Sequence, residues 1–138
     1  MSNKRLSIHE ALIYTMVVMS AADSDMTDAE LIIIRDIVDT LPIFQNFDSA
    51  ELAQYANDCV EMLAGDDGLD DVLNSIYHSL PESLRETAYA LAIEVAAVDL
   101  HAAQEELRLL QMIRHILQLD RLIASGIERG ARARYCIG

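Results

Sequence analysis

The sequence predicts an all-α fold: a compact bundle of about seven helices, with a helical hairpin duplicated about a pseudo-twofold axis. Three observations carry this. Apolar residues recur at helical spacing between cap and breaker signals along nearly the whole chain. No window sustains the period-two alternation of a strand, and β-branched residues do not cluster between turns. Two alanine-rich apolar stretches, Met19-Ser20-Ala21-Ala22 and Val95-Ala96-Ala97-Val98, stand 76 residues apart, and each leads into a similar amphipathic pattern.

The first helix is expected from about Ser7 to Ala22, opened by the capping-box pattern Ser7-Ile8-His9-Glu10. Leu12, Ile13, Met16, Val17 and Met19 leave it little polar face, so it belongs at the centre. A second helix follows from about Asp28 to Leu41, opened by Thr27-Asp28-Ala29-Glu30 and stopped by Pro42. After a loop through Phe44 and Phe47, Asp48-Ser49-Ala50-Glu51 gives a third N-cap signal, for a helix that reaches Ala64 and stops at Gly65. Asp66-Asp67-Gly68 reads as a turn, and a fourth helix spans about Leu69 to Leu80. Pro81 suits the first turn of the fifth, Glu82 to Val98, which is nearly apolar on all sides after Ala88. The sixth runs from about Ala103 to Leu117 and the seventh from about Asp120 to Tyr135. Gly126 and Gly130 weaken the seventh, so its end is expected to fray. Helices one and five should form the centre, with two and six covering them and three, four and seven completing the bundle.

At 138 residues the chain is expected to be one domain, 1–138, with repeat halves at roughly 7–41 and 82–117. Apolar residues make up 52%, enough for a core without disulfides or a structural metal. The net charge of −13 argues against a nucleic-acid backbone as partner, which needs a basic footprint, and favours cations over anions. The charge is uneven: residues 121–138 carry Arg121, Arg129, Arg132 and Arg134 against Glu128 alone, about +3 against −16 for the rest. This arginine-bearing helix is a candidate contact for the acidic body of the protein or for a protein partner; a simply solvated face is the plainer alternative. Cys59 shares an apolar face with Leu52, Tyr55, Ala56, Met62 and Leu63 and reads as a core residue. With only Cys136 besides, no disulfide framework is implied. Lys4-Arg5, the run Ala11 to Met19 and Ser20-Ala21-Ala22 imitate a signal peptide. His9 and Glu10 interrupt that pattern, and its apparent cleavage site is the first copy of the internal repeat. The run is too short to span a bilayer, so a cytoplasmic protein with no membrane insertion is expected.

The polar part of the repeat is an Asp with a Glu seven residues later, at the junction of two helices. The pairs are Asp23 with Glu30 and Asp99 with Glu106. A packed core does not need such a pair. Asp23 stands at a helix C-terminus, where negative charge opposes the dipole, and Asp25, Asp28 and Glu30 crowd it. A hard cation of the Ca²⁺ or Mg²⁺ class would offset that repulsion. Capping alone is the competing account of Thr27 and Glu30, but it explains Glu106 less well, because Ala103 stands where the capping hydroxyl would be. In the second copy His101 replaces Asp25 and is a possible borderline-metal ligand. The first loop is not an EF-hand, which would need Gly at Asp28 and Glu at Ile34. Asp66, Asp67, Asp70 and Asp71 read as a solvated turn and a dipole-matched first turn. No Glu lies three residues before a histidine, and Gly-x-Ser-x-Gly, His-Glu-x-x-His and paired Cys-x-x-Cys motifs are absent. His9, His78 and His115 have no partner legible in the sequence, and His115 reads as structural.

Ala21-Ala22-Asp23 through Glu30-Leu31, and Ala96-Ala97-Val98-Asp99 through Glu106-Leu107, resemble the repeated motif of the tellurite-resistance protein TerB family. The resemblance covers nearly the whole chain in order and spacing. It implies a compact helical bundle, a divalent-metal site at the paired acids and a role in tellurite resistance or stress response through protein contacts. The metal candidates it implies are Asp23, Glu30, Asp99 and Glu106; Asp25, Asp28 and His101 are further candidates from the residues themselves. The Gly that often follows the motif Asp is Ser24 in the first copy and Leu100 in the second. The leading expectation is therefore a non-enzymatic, metal-responsive binding module. The alternatives are a metal-dependent hydrolase using the four carboxylates, and a metal-free helical scaffold.

Overall fold

The computed structural model describes residues 5–21, 27–98 and 104–138. Among them are seven α-helices and no strand: α1 (Ile8–Ser20), α2 (Asp28–Thr40), α3 (Leu52–Leu63), α4 (Gly68–Ser79), α5 (Arg85–Val98), α6 (Gln104–Ile116) and α7 (Arg121–Tyr135). Single 3₁₀ turns at Pro42–Phe44, Ser49–Glu51 and Glu82–Leu84 fill the connections before α3 and α5.

The helix starts follow the local chemistry. Ser7 and Thr27 each accept from the amide three residues on, and Glu10 and Glu30 each return a carboxylate to the cap amide, so both expected capping boxes form. Asp48 does cap its turn, accepting from Ala50 N at 3.0 Å. Glu51, however, turns away and accepts from the Tyr55 hydroxyl at 2.8 Å. Gly68 is not the end of a turn but the first residue of α4. A Cβ there would sit 2.0 Å from the Leu63 carbonyl oxygen, so the α3–α4 corner closes only around glycine. Pro81 is the cap ahead of its 3₁₀ turn rather than a residue within it. Gln118 takes a left-handed φ of 55° to end α6, with Leu119 N donating to the Arg114 carbonyl.

α1 is the axis of the molecule. Every residue from Ala11 to Ser20 is buried, and α1 packs along α5, α3 and α4. α5 packs in turn on α7 and α6. The two most apolar helices are therefore central, as their composition requires. The cover differs from the expectation that α2 and α6 would dominate it: α3 and α4 make most of the cover on α1, and α7 on α5. The reason is visible in α2, which buries only Ile34 and Val38 and turns Ile32, Arg35, Asp36 and Asp39 outward.

α7 holds through both glycines to Tyr135 instead of fraying. Ala124 and Ala131 are buried on α5, and Arg134 and Tyr135 both bond to Glu94, the former at 2.5 Å. Tyr89 on α5 donates to Glu128 on α7 at 2.5 Å, and Arg114 on α6 lies 3.8 Å from the same carboxylate. The arginine-bearing helix thus docks on the acidic body through Arg134, while Arg121, Arg129 and Arg132 stay exposed. Cys59 is fully buried, as expected of a core residue.

Candidate functional site

The last turns of α1 and α5 and the first turns of α2 and α6 meet around one cavity of about 320 Å³. Its described lining is Met19 and Ser20 from α1, Thr27 with Ala29, Glu30 and Ile33 of α2, Val95 and Ala96 from α5, and Glu106 from α6. Three pairs in this lining are 76 positions apart: Met19 with Val95, Ser20 with Ala96, and Glu30 with Glu106. Glu30 is the third residue of α2 and Glu106 the third of α6. Both carboxylates therefore sit in the first turn of a helix, where its N-terminal dipole favours negative charge.

The two acids are held differently. Glu30 is half-buried, and its Oε1 accepts from the Thr27 amide at 2.8 Å and the Thr27 hydroxyl at 3.0 Å. Both bonds use the same oxygen. Glu106 is only 5% exposed, a burial rare for a carboxylate. Ser20, at 7% exposure, has a buried hydroxyl with no hydrogen-bond partner among the described residues.

Of the residues singled out in the sequence, Glu30 and Glu106 are brought together at this cavity. Asp28 is exposed at the start of α2 and is not part of the cavity lining. Asp23, Asp25, Asp99 and His101 lie outside the described residues. The segments that carry them are bracketed by cavity-lining residues: Ser20 and Thr27 flank the first, Ala96 and Glu106 the second. Among the described residues, no group of three or more His, Cys, Asp or Glu side chains could hold a metal. Ser20 was missed by the sequence reading. The available signal was a hydroxyl at the end of an otherwise apolar run, where the residue 76 positions on is Ala96.

The remaining histidines acquire local roles. His9 Nε2 donates to the Ile43 carbonyl at 2.8 Å, and its ring stacks on Phe44 and meets Phe47 edge-on. It ties α1 to the turn after α2. His78 is exposed, edge-on to Tyr77. His115 is exposed too, contrary to its reading as structural, and lines a shallow groove with Asp70, Arg108 and Met112 between α4 and α6. Asp66, Asp67 and Asp70 are exposed, in keeping with a solvated cluster.

Burial and chemistry also shape the phenols. Burial pushes the Tyr14 and Tyr89 hydroxyls well above the usual tyrosine value, with the Glu128 bond adding to the shift at Tyr89. The bond to Glu51 raises Tyr55 to about 12. None of these groups lines the cavity.

Among the described residues no helix is long and apolar enough to cross a membrane. A family model described as "Tellurite resistance protein TerB" matches residues 9–124, most of the chain and both of its hairpins. No curated protein and no solved structure matches the chain.

Proposed function

The chain belongs to the TerB family of tellurite resistance proteins, and from that premise we propose that it is a non-catalytic module that takes up one divalent cation in the shared cavity and acts through protein contacts. The observation that carries this reading is the convergence of Glu30 and Glu106, from corresponding positions of two hairpins, on a single cavity. Two carboxylates in one partly enclosed space repel each other, and a cation between them removes that cost. The sequence alone suggested one acidic notch per hairpin; the cavity favours one site between them.

The residues present fit a hard cation. The polar side chains of the described lining are Glu30, Glu106, Ser20 and Thr27, all oxygen donors, the preference of Ca²⁺ and Mg²⁺. Asp23 and Asp99, seven residues before the two glutamates and on segments that start and end at the cavity, are the proposed further ligands. Bound there, the ion would supply positive charge that ties α2 to α6.

Calorimetric titration with Ca²⁺, Mg²⁺, Mn²⁺ and Zn²⁺ tests this. One ion per chain is expected, with affinity falling about tenfold or more in Glu30→Gln and in Glu106→Gln as ligand charge is removed. Binding no tighter than about millimolar for every ion, or unchanged binding in the double variant, would end the metal reading.

The proposed protein contact is the outer face of α7, where Arg121, Arg129 and Arg132 stand exposed beside Leu122 on a protein otherwise strongly acidic. Such a face suits an acidic partner surface. Arg129→Glu with Arg132→Glu should leave the fold and cation binding unchanged while abolishing partner capture in a pull-down. Retained capture would remove α7 from the interface.

A further inference from the structure

We propose that the Ser20 hydroxyl is a direct oxygen donor to the cation's coordination shell. This rests on the cation site proposed above and adds a residue to it from a third helix, α1.

A buried hydroxyl almost always finds a partner, because leaving one unpaired carries its full desolvation cost. α1 itself shows the usual solution. Thr15, another buried hydroxyl on this helix, donates to the Ala11 carbonyl one turn back at 2.8 Å. Ser20 does not take that route. It lies in the last turn of α1, its oxygen is buried, and it has no hydrogen-bond partner among the described residues. It also lines the cavity that Glu30 and Glu106 share. A buried polar atom without a partner among the described residues, at the wall of a dicarboxylate cavity, is an oxygen donor available to a cation held between the two glutamates.

The second hairpin sharpens the point. The residue 76 positions on is Ala96, which also lines the cavity and offers no oxygen. The hydroxyl is therefore a one-sided addition that the packing of α1 on α5 does not require. Alanine at the same place in α5 satisfies the same kind of helix end. With Oε1 of Glu30 engaged by Thr27, Ser20 contributes a neutral donor near the half of the site whose carboxylate is partly committed.

The test compares Ser20→Ala with the unaltered full chain in two measurements: thermal unfolding without added metal, and titration with the cation that binds the unaltered chain most tightly. The hydroxyl's proposed role predicts opposite signs. Ser20→Ala should unfold at the same or a higher temperature without metal, because it deletes an unpaired polar atom. It should also bind the cation about tenfold more weakly. Ser20→Cys should lose Ca²⁺ or Mg²⁺ affinity in the same way but gain affinity for Cd²⁺, since sulfur favours soft ions. That change of preference cannot come from packing alone. If the unaltered chain binds no cation, the underlying site fails and this inference with it. If it binds and Ser20→Ala keeps its affinity within twofold, or Ser20→Cys shows no shift toward Cd²⁺, the site stands and the Ser20 role is overturned. A lower unfolding temperature for Ser20→Ala with unchanged affinity would likewise overturn it, making the hydroxyl a structural group.

Discussion

The α1–α2 hairpin and the α5–α6 hairpin put a glutamate at the same helical position and reach the same cavity, yet they set that glutamate at different depths. In the first, Thr27 holds Glu30 through a reciprocal capping box at the half-buried mouth of the cavity. In the second, the sequence has Ala103 where Thr27 stands, and Glu106 is nearly fully buried instead. A shared pattern can therefore keep the position of a charge while changing its exposure: half-buried beside its cap on one side, nearly fully enclosed on the other. The outer helices differ in the same sense. α2 anchors itself with Ile34 and Val38, whereas α6 buries Leu109, Leu110 and Ile113 and is braced by α7 through Arg114 and Glu128.

The largest test of this contrast is in the anchors. Ile34 and Leu110 are the same position in the two hairpins, exposed by 0% and 8% respectively. Truncating a buried aliphatic residue to alanine costs about 2–5 kcal/mol, and Ile34→Ala should fall in the upper part of that range because α2 has so few other anchors. Leu110→Ala should fall in the lower part. Urea unfolding followed by circular dichroism reads both. Equal losses, or a larger one at Leu110, would mean that α2 is not the weakly held partner.

A smaller effect isolates the brace on the second hairpin. Tyr89→Phe removes the bond to Glu128 and should cost about 1–2 kcal/mol at neutral pH. The pH dependence carries a sign. Burial and the Glu128 bond raise the folded-state pKa of Tyr89 above its unfolded value near 10. Its contribution is therefore complete below pH 10 and is lost as pH rises through the folded value, because only the unfolded chain sheds the proton first. Tyr55, at about 12, and Tyr135 act in the same direction. Stability should be level from pH 8 to 9.5 and decline above 10, less steeply in Tyr89→Phe. A decline of equal slope in the variant would assign the alkaline loss to other groups.

The smallest expected change concerns the cap. Thr27→Ala makes the first hairpin resemble the second at this position and should cost about 1 kcal/mol. If it costs nothing, Glu30 is held by something other than its capping box.

Much of this was legible in the sequence because the signals were local. Ser7 with Glu10 and Thr27 with Glu30 announce their own helix starts, and both boxes form. The unbroken apolar run of α1 announces a central helix, and it is central. Other signals depended on distant partners. Gly126 and Gly130 argued for a frayed α7, but Glu94, some forty residues away, pins its last turn. His9 found its acceptor at Ile43, and His115 found only solvent and a shallow groove. Periodicity could not anticipate any of these, since it says which face is apolar and not what faces it.

The sequence by itself determined the helices, their caps, the central place of α1 and α5, and the recurrence of an acid in the first turn of α2 and α6. These follow from hydrogen bonds within a few residues and from the spacing of apolar side chains. Only the tertiary structure decided that Glu30 and Glu106 open on one cavity rather than two, that α3, α4 and α7 supply most of the cover, and that Ser20 is enclosed without a partner among the described residues. Those outcomes depend on how seven helices pack against one another, and burial is a property of the whole assembly that no short stretch of chain can encode alone.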